Sequence, residues 1–132
     1  MKVKRFRSIR YILILLLIVL IASCTDKTPI HKHSDFNVGA GRDEITSQFG
    51  EPSRIQTFTK QGQPIWGAIE SYWEQVPNGS TIEIWAYPST IEYQDTDETH
   101  VQEGETELYF LDASKSVSAK GFHIAGAVYE GS

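Results

Sequence analysis

Twelve uncharged residues, Tyr11 to Ala22, mostly Ile, Leu and Val, follow a basic start and end on Ser23-Cys24. Lys2, Lys4, Arg5, Arg7 and Arg10 carry five positive charges, and no acid precedes Asp26. As a helix rising ~1.5 Å per residue the run would span roughly 18 Å, short of the ~30 Å hydrocarbon core. A basic flank, a short apolar core and small residues before a cut describe an export signal better than a membrane span. The constraint on folding is direct: residues 1–23 are expected to be removed, and only the remainder builds a domain.

Ile21-Ala22-Ser23-Cys24 is an apolar residue, two small ones and the only cysteine of the chain. It resembles the lipobox of bacterial lipoproteins. The resemblance implies cleavage between Ser23 and Cys24, a diacylglycerol on the Cys24 sulfur and an acylated new amino group. Each buried methylene contributes ~0.8 kcal/mol, so two or three chains give lasting attachment where one would not. Thr25 follows, and the absence of Asp there implies, by the same resemblance, the outer membrane, facing the periplasm.

Cleavage leaves 132 − 23 = 109 residues, room for one small domain. The five basic residues of the signal go with it, leaving 12 − 5 = 7 Lys and Arg against 17 Asp and Glu, a net charge of −10. Phosphate backbones repel such a body, so nucleic acid is not an expected partner. With Cys24 acylated no disulfide is available, and the core alone must hold the fold.

Residues 24–37 read as the lipidated cysteine and a flexible tether, since Thr25 to Asp35 is polar, contains Pro29 and has no hydrophobic period. His31 and His33 lie in it without further ligands at metal-site spacing. Residues 38–132 read as the domain. Within Val38 to Pro52, Ile45 and Phe49 share a helix face, Gly41 can begin the helix, Asp43 and Glu44 suit its N-terminal end, and Gly50 with Pro52 ends it. Ser53 to Lys60 reads as an edge strand. Ile65 to Glu74 and Thr81 to Tyr87 read as an antiparallel hairpin joined by Pro77-Asn78-Gly79-Ser80. Ile82, Ile84 and Ala86 are expected inward, with Glu83, Trp85 and Tyr87 outward. Ile91 to Glu105 is acidic without a Lys or Arg and reads as a long solvated loop or an extended hairpin tip. Glu107 to Leu111 and Gly121 to Tyr129 close the sheet. The expected class is α+β: one or two short N-terminal helices packed on a four- to five-stranded antiparallel sheet.

Gly39 and Gly50, with Ile45 and Phe49 between them and Pro52 beyond, resemble an element of the SmpA/OmlA (BamE-type) outer-membrane lipoproteins and of β-lactamase-inhibitor-protein-like modules. That family has a Met-Thr where this chain has Ala40-Gly41. The resemblance covers about 15 residues plus the order of elements, and it implies short helices leading into a small antiparallel sheet.

Candidate chemistry is sparse. From Asp95, the sixth and twelfth positions of a calcium loop would be His100 and Thr106, which fit neither the glycine nor the bidentate acid such a loop needs. His100 and His123 lack a local nucleophile signature, so the chain does not read as an enzyme, and no cofactor or metal is expected. Trp66, Tyr72, Trp85 and Tyr87 fall on one nominal sheet face and are the candidate partner-binding residues. The functional expectation is a lipid-anchored envelope protein that binds or scaffolds another protein. The alternative is a ligand- or cation-binding module built on residues 92–107.

Overall fold

The computed structural model describes residues 30–124. Their elements are β1 (His31–Lys32), a 3-10 turn (His33–Asp35), α1 (Arg42–Phe49), β2 (Arg54–Thr59), α2 (Glu70–Trp73), β3 (Thr81–Asp95), β4 (Glu98–Leu111) and β5 (Ala119–Ile124). The class is α+β, with one five-stranded, mostly antiparallel sheet. β3 is its spine. β4 pairs along its whole length on one side, and β5 follows β4. On the other side β2 runs antiparallel to residues 81–86, and β1 runs parallel to Ser89 and Thr90. The strand expected over 121–129 is described to Ile124; its end lies outside the described residues, as do the signal segment and Cys24.

α1 forms as its residues direct. Gly41 is the N-cap, Asp43 and Glu44 occupy the first turn, and Ile45 is the buried anchor. Gly50 takes φ 76° at the C-cap, a region that L-residues avoid, and its N–H closes the helix on the Thr46 carbonyl at 3.0 Å.

Three expectations are corrected. First, residues 31–36 are not tether. His31 and Lys32 pair with β3, and Phe36 is fully buried, stacked on Phe49 with ring centroids 4.2 Å apart. Lys120 Nζ fixes the segment by donating to the carbonyls of Phe36 (2.7 Å) and His33 (3.1 Å).

Second, Ile65 to Glu74 is not a strand. Gly67 adopts φ 118°, which interrupts any extended run, and the chain then coils into α2. Ile69, Trp73 and Val76 stand at i, i+4 and i+7 and are all buried, so the helical period overrides the alternating one. Lys60 Nζ caps the end of this turn, donating to the carbonyls of Trp73 (2.6 Å) and Val76 (2.7 Å). The strand that pairs with Thr81 to Ala86 on that side is β2.

Third, both faces of β3 are interior from Ile82 to Ser89. Ile82 and Ile84 pack with Ile65, Ile69, Trp73, Val76 and Tyr109 beneath α2 and its flanks. Trp85 and Tyr87 pack with Phe36, Ile45, Leu108, Phe110 and Val117 beneath α1. The alternation along β3 is as read, but it separates two cores rather than a core from solvent. The acidic stretch takes the hairpin form: among the described residues β3 and β4 continue as a two-stranded ribbon to a turn at Thr96 and Asp97, with Asp95 opposite Glu98.

Candidate functional site

The four candidate partner-binding aromatics do not come together. Trp66 is exposed (62%), Tyr72 is half-buried and stacked on Tyr109 at 5.7 Å, and Trp85 and Tyr87 are buried. Trp85 donates its indole N–H to Glu83, which also accepts from Arg42 Nη1 at 2.8 Å. The Arg42 guanidinium lies 4.1 Å from the Phe110 ring centroid and 5.3 Å from that of Trp85. Burial works against the Glu83 charge, but the hydrogen bonds from Arg42 and Trp85 outweigh it and hold the carboxyl below its ordinary range. Tyr87 donates to the Gly50 carbonyl at 2.9 Å. Burial, with Glu51 nearby, pushes its hydroxyl up to about 12. These side chains serve the packing of α1 on the sheet. Ser23 and Cys24 lie outside the described residues.

The chemically richest cluster lies on the α2 face, beyond the apolar core. Glu107 is fully buried and accepts from Tyr109 Oη (2.9 Å) and Arg54 Nη2 (3.1 Å). Arg54 also reaches Glu105 Oε1 at 3.7 Å and hydrogen-bonds Gln56. His123 Nε2 lies 3.3 Å from Glu105 Oε1 and 3.8 Å from Glu107 Oε2. Register brings these residues together: Glu107 sits between Ala86 and Gly121 and Glu105 opposite His123, while Arg54 faces Ala86. Gly121 is required here, because a Cβ at that position would come within 2.5 Å of Tyr109 Oη and 2.8 Å of the Ala68 carbonyl. Acids and bases so matched form a mutual network that lets a carboxylate be buried.

On the opposite face a chain of hydroxyls is equally enclosed. Ser89 Oγ and Thr106 Oγ1 are 2.7 Å apart, and His33 Nδ1 lies 2.9 Å from Thr106 Oγ1. Burial, with Lys120 nearby, lowers the affinity of His33 for its proton. Among the described residues, every buried side-chain nitrogen and oxygen has a partner. His100 lies on the ribbon, stacked on Tyr93 at 5.4 Å, far in register from His123.

The ribbon is a long exposed surface. Glu92, Tyr93, Gln94 and Asp95 on β3, with Glu98, Thr99, Val101 and Glu103 on β4, are all open to solvent. Among the described residues, no group of three or more His, Cys, Asp or Glu is placed to hold a metal ion. No helix among them is long and apolar enough to cross a membrane. Where the ribbon leaves the body, Lys32, His33, Ser34, Thr90, Ile91 and Glu92 line a cleft of about 280 Å³, with Lys32 Nζ on Glu92 Oε1 at 2.9 Å. Comparison with protein-family models gives no match, and comparison with curated proteins and with solved structures gives none either.

Proposed function

We propose that this is a lipid-anchored cell-envelope protein, attached through Cys24 to the outer membrane on its periplasmic side, that acts as a non-catalytic protein-binding or scaffolding module. The observation that carries the reading is Ile21-Ala22-Ser23-Cys24 in register behind a basic and then apolar leader. The SmpA/OmlA likeness supports it through a Gly41-capped helix leading into a mainly antiparallel sheet. The mutual use of Arg54, Glu105, Glu107 and His123 supports a structural role for the groups that could otherwise do chemistry.

The position of β1 at His31 sharpens this reading. Only residues 25–30 separate Cys24 from β1. Seven Cα steps at ~3.6 Å reach about 25 Å at most, so the anchored domain works close to the bilayer. The test is metabolic labelling with palmitate, followed by in-cell crosslinking of the anchored form. Label is expected in the wild type and not in Cys24→Ala, with a discrete crosslinked partner. A wild type that takes up no label, or a Cys24→Ala form labelled equally, removes the anchor from the reading.

A further inference from the structure

The ribbon has an open edge whose backbone can be assigned residue by residue. The β3–β4 register runs without interruption from Ile82 opposite Leu111 to Asp95 opposite Glu98. At its start Asp112 N–H donates to the Thr81 carbonyl, so the backbone groups of Thr81 point to the β4 side. Ser80 and Ala86 point the other way, their carbonyls accepting from Lys60 and Ser53. Alternation along an unbroken strand turns the backbone groups of the even-numbered β3 residues outward, the N–H and C=O of each except Pro88, which has only a C=O. β2 uses those as far as Ala86, and β1 pairs beside Ser89 and Thr90. The next two, at Glu92 and Gln94, have no strand beside them among the described residues.

We infer that this edge, Ile91 to Asp95, receives an extended basic segment of a partner protein as an added strand, continuing the line of β1. The inference rests on the proposed binding function and names the kind of partner. A strand laid there meets the cleft at the end of β1 and satisfies the outward groups of Glu92 and Gln94. Its side chains alternate between two surfaces. Glu92 and Glu103 lie on one, beside Val101; Ile91, Tyr93 and His100 lie on the other, with Asp95 and Glu98 at its far end by the turn. Residues 91–105 hold six acids and no Lys or Arg, so Lys or Arg is the complement on the first surface and apolar residues on the second. Lys32 at the end of β1 already sets an ammonium on Glu92 and shows the contact in miniature. A second copy is a poor occupant, because two such edges would oppose like charges.

The experiment is calorimetry on the detergent-solubilised full chain with a short capped peptide alternating lysine and valine. Binding is expected, weakening with added salt, and a glutamate–valine peptide is expected not to bind. Gln94→Pro removes one outward N–H without touching the ladder to β4, a substitution an edge position accepts. It is expected to weaken binding roughly tenfold with the far-UV spectrum unchanged. Gln94→Val keeps the N–H and is expected to bind as the wild type. Glu92→Lys combined with Glu103→Lys keeps the test decisive if Gln94→Pro fails to fold, and is expected to reverse the peptide preference. Absence of binding, a folded Gln94→Pro that binds unchanged, an unreversed preference, or pairing of two copies through this edge overturns the inference. A crosslinked envelope partner retained by Gln94→Pro leaves the anchored-module reading standing and removes only the edge.

Discussion

Phe36→Ala tests whether the segment before α1 belongs to the domain. The Phe36 ring is fully buried, 4.2 Å from Phe49 and 5.4 Å from Tyr87 between ring centroids, with His31 packed edge-on at 6.2 Å. Truncating a buried Phe to Ala costs about 3–5 kcal/mol from lost transfer and the cavity left behind. The stacked partner places this site in the upper part of that range, since an aromatic pair adds ~0.5–1.5 kcal/mol beyond area. A loss of about 4 kcal/mol is a large fraction of the 5–15 kcal/mol that holds a domain of this size. At ~4–8 °C per kcal/mol the midpoint of thermal unfolding falls by about 20 °C. Urea unfolding followed by circular dichroism and by tryptophan fluorescence measures it, Trp85 lying in the same core. Ile30→Ala, at an exposed position just before β1, is the control and should change stability by less than ~0.5 kcal/mol. If Phe36→Ala costs under ~1 kcal/mol, residue 36 behaves as tether and the packing argument is wrong.

Two further outcomes follow from the polar contacts. Arg54→Met leaves the buried Glu107 carboxylate with Tyr109 and His123 but without its guanidinium, and should cost about 2–3 kcal/mol in urea unfolding at neutral pH. Adding Glu107→Gln should recover part of that loss, and strict additivity in the double-mutant cycle would show the two groups to be uncoupled. Tyr87 is neutral when protonated, and its folded value of about 12 lies above the ordinary 10, so the folded state holds the proton more tightly. Its contribution is complete below about pH 10 and is lost as pH rises towards 12. Urea midpoints measured across that window should fall in the wild type, and Tyr87→Phe should lack that part of the fall.

α1 was legible because each of its signals is local. Gly41, the Asp43-Glu44 pair, the Ile45–Phe49 spacing, Gly50 and Pro52 act within one or two turns of each other. The alternation of β3 was legible for the same reason. Its pairing was not. Pro77-Asn78-Gly79-Ser80 is a true turn, but it joins α2 to β3 rather than two strands. The hairpin that does form turns at Thr96-Asp97, where Thr96 takes φ 54°, a conformation a β-branched residue rarely signals. The Arg54–Glu107–His123 cluster joins residues up to 69 apart in sequence through the register of three strand pairs, and no spacing motif encodes that.

The two largest departures from the sequence reading have one origin. Trp85 and Tyr87 look like an exposed binding face only if nothing remains to cover them. Placing His31 to Phe36 in a tether removes the segment that, with α1, does the covering. Placing Ile65 to Glu74 in the sheet removes the cover of the opposite face and supplies β3 with a false neighbour. Returned to their places, the two segments enclose both sides of β3, with Phe36 against Tyr87 on one side and Ile69, Trp73 and Val76 beside Ile84 on the other. A polar stretch carrying one large aromatic is hard to tell from a linker, because a single buried side chain makes no period. The same covers end before Ile91, so among the described residues exposure, free backbone and acidic charge coincide on the ribbon. The proposed partner contact therefore moves from the indoles to a segment that the sequence reads as solvated or as a ligand- or cation-binding stretch.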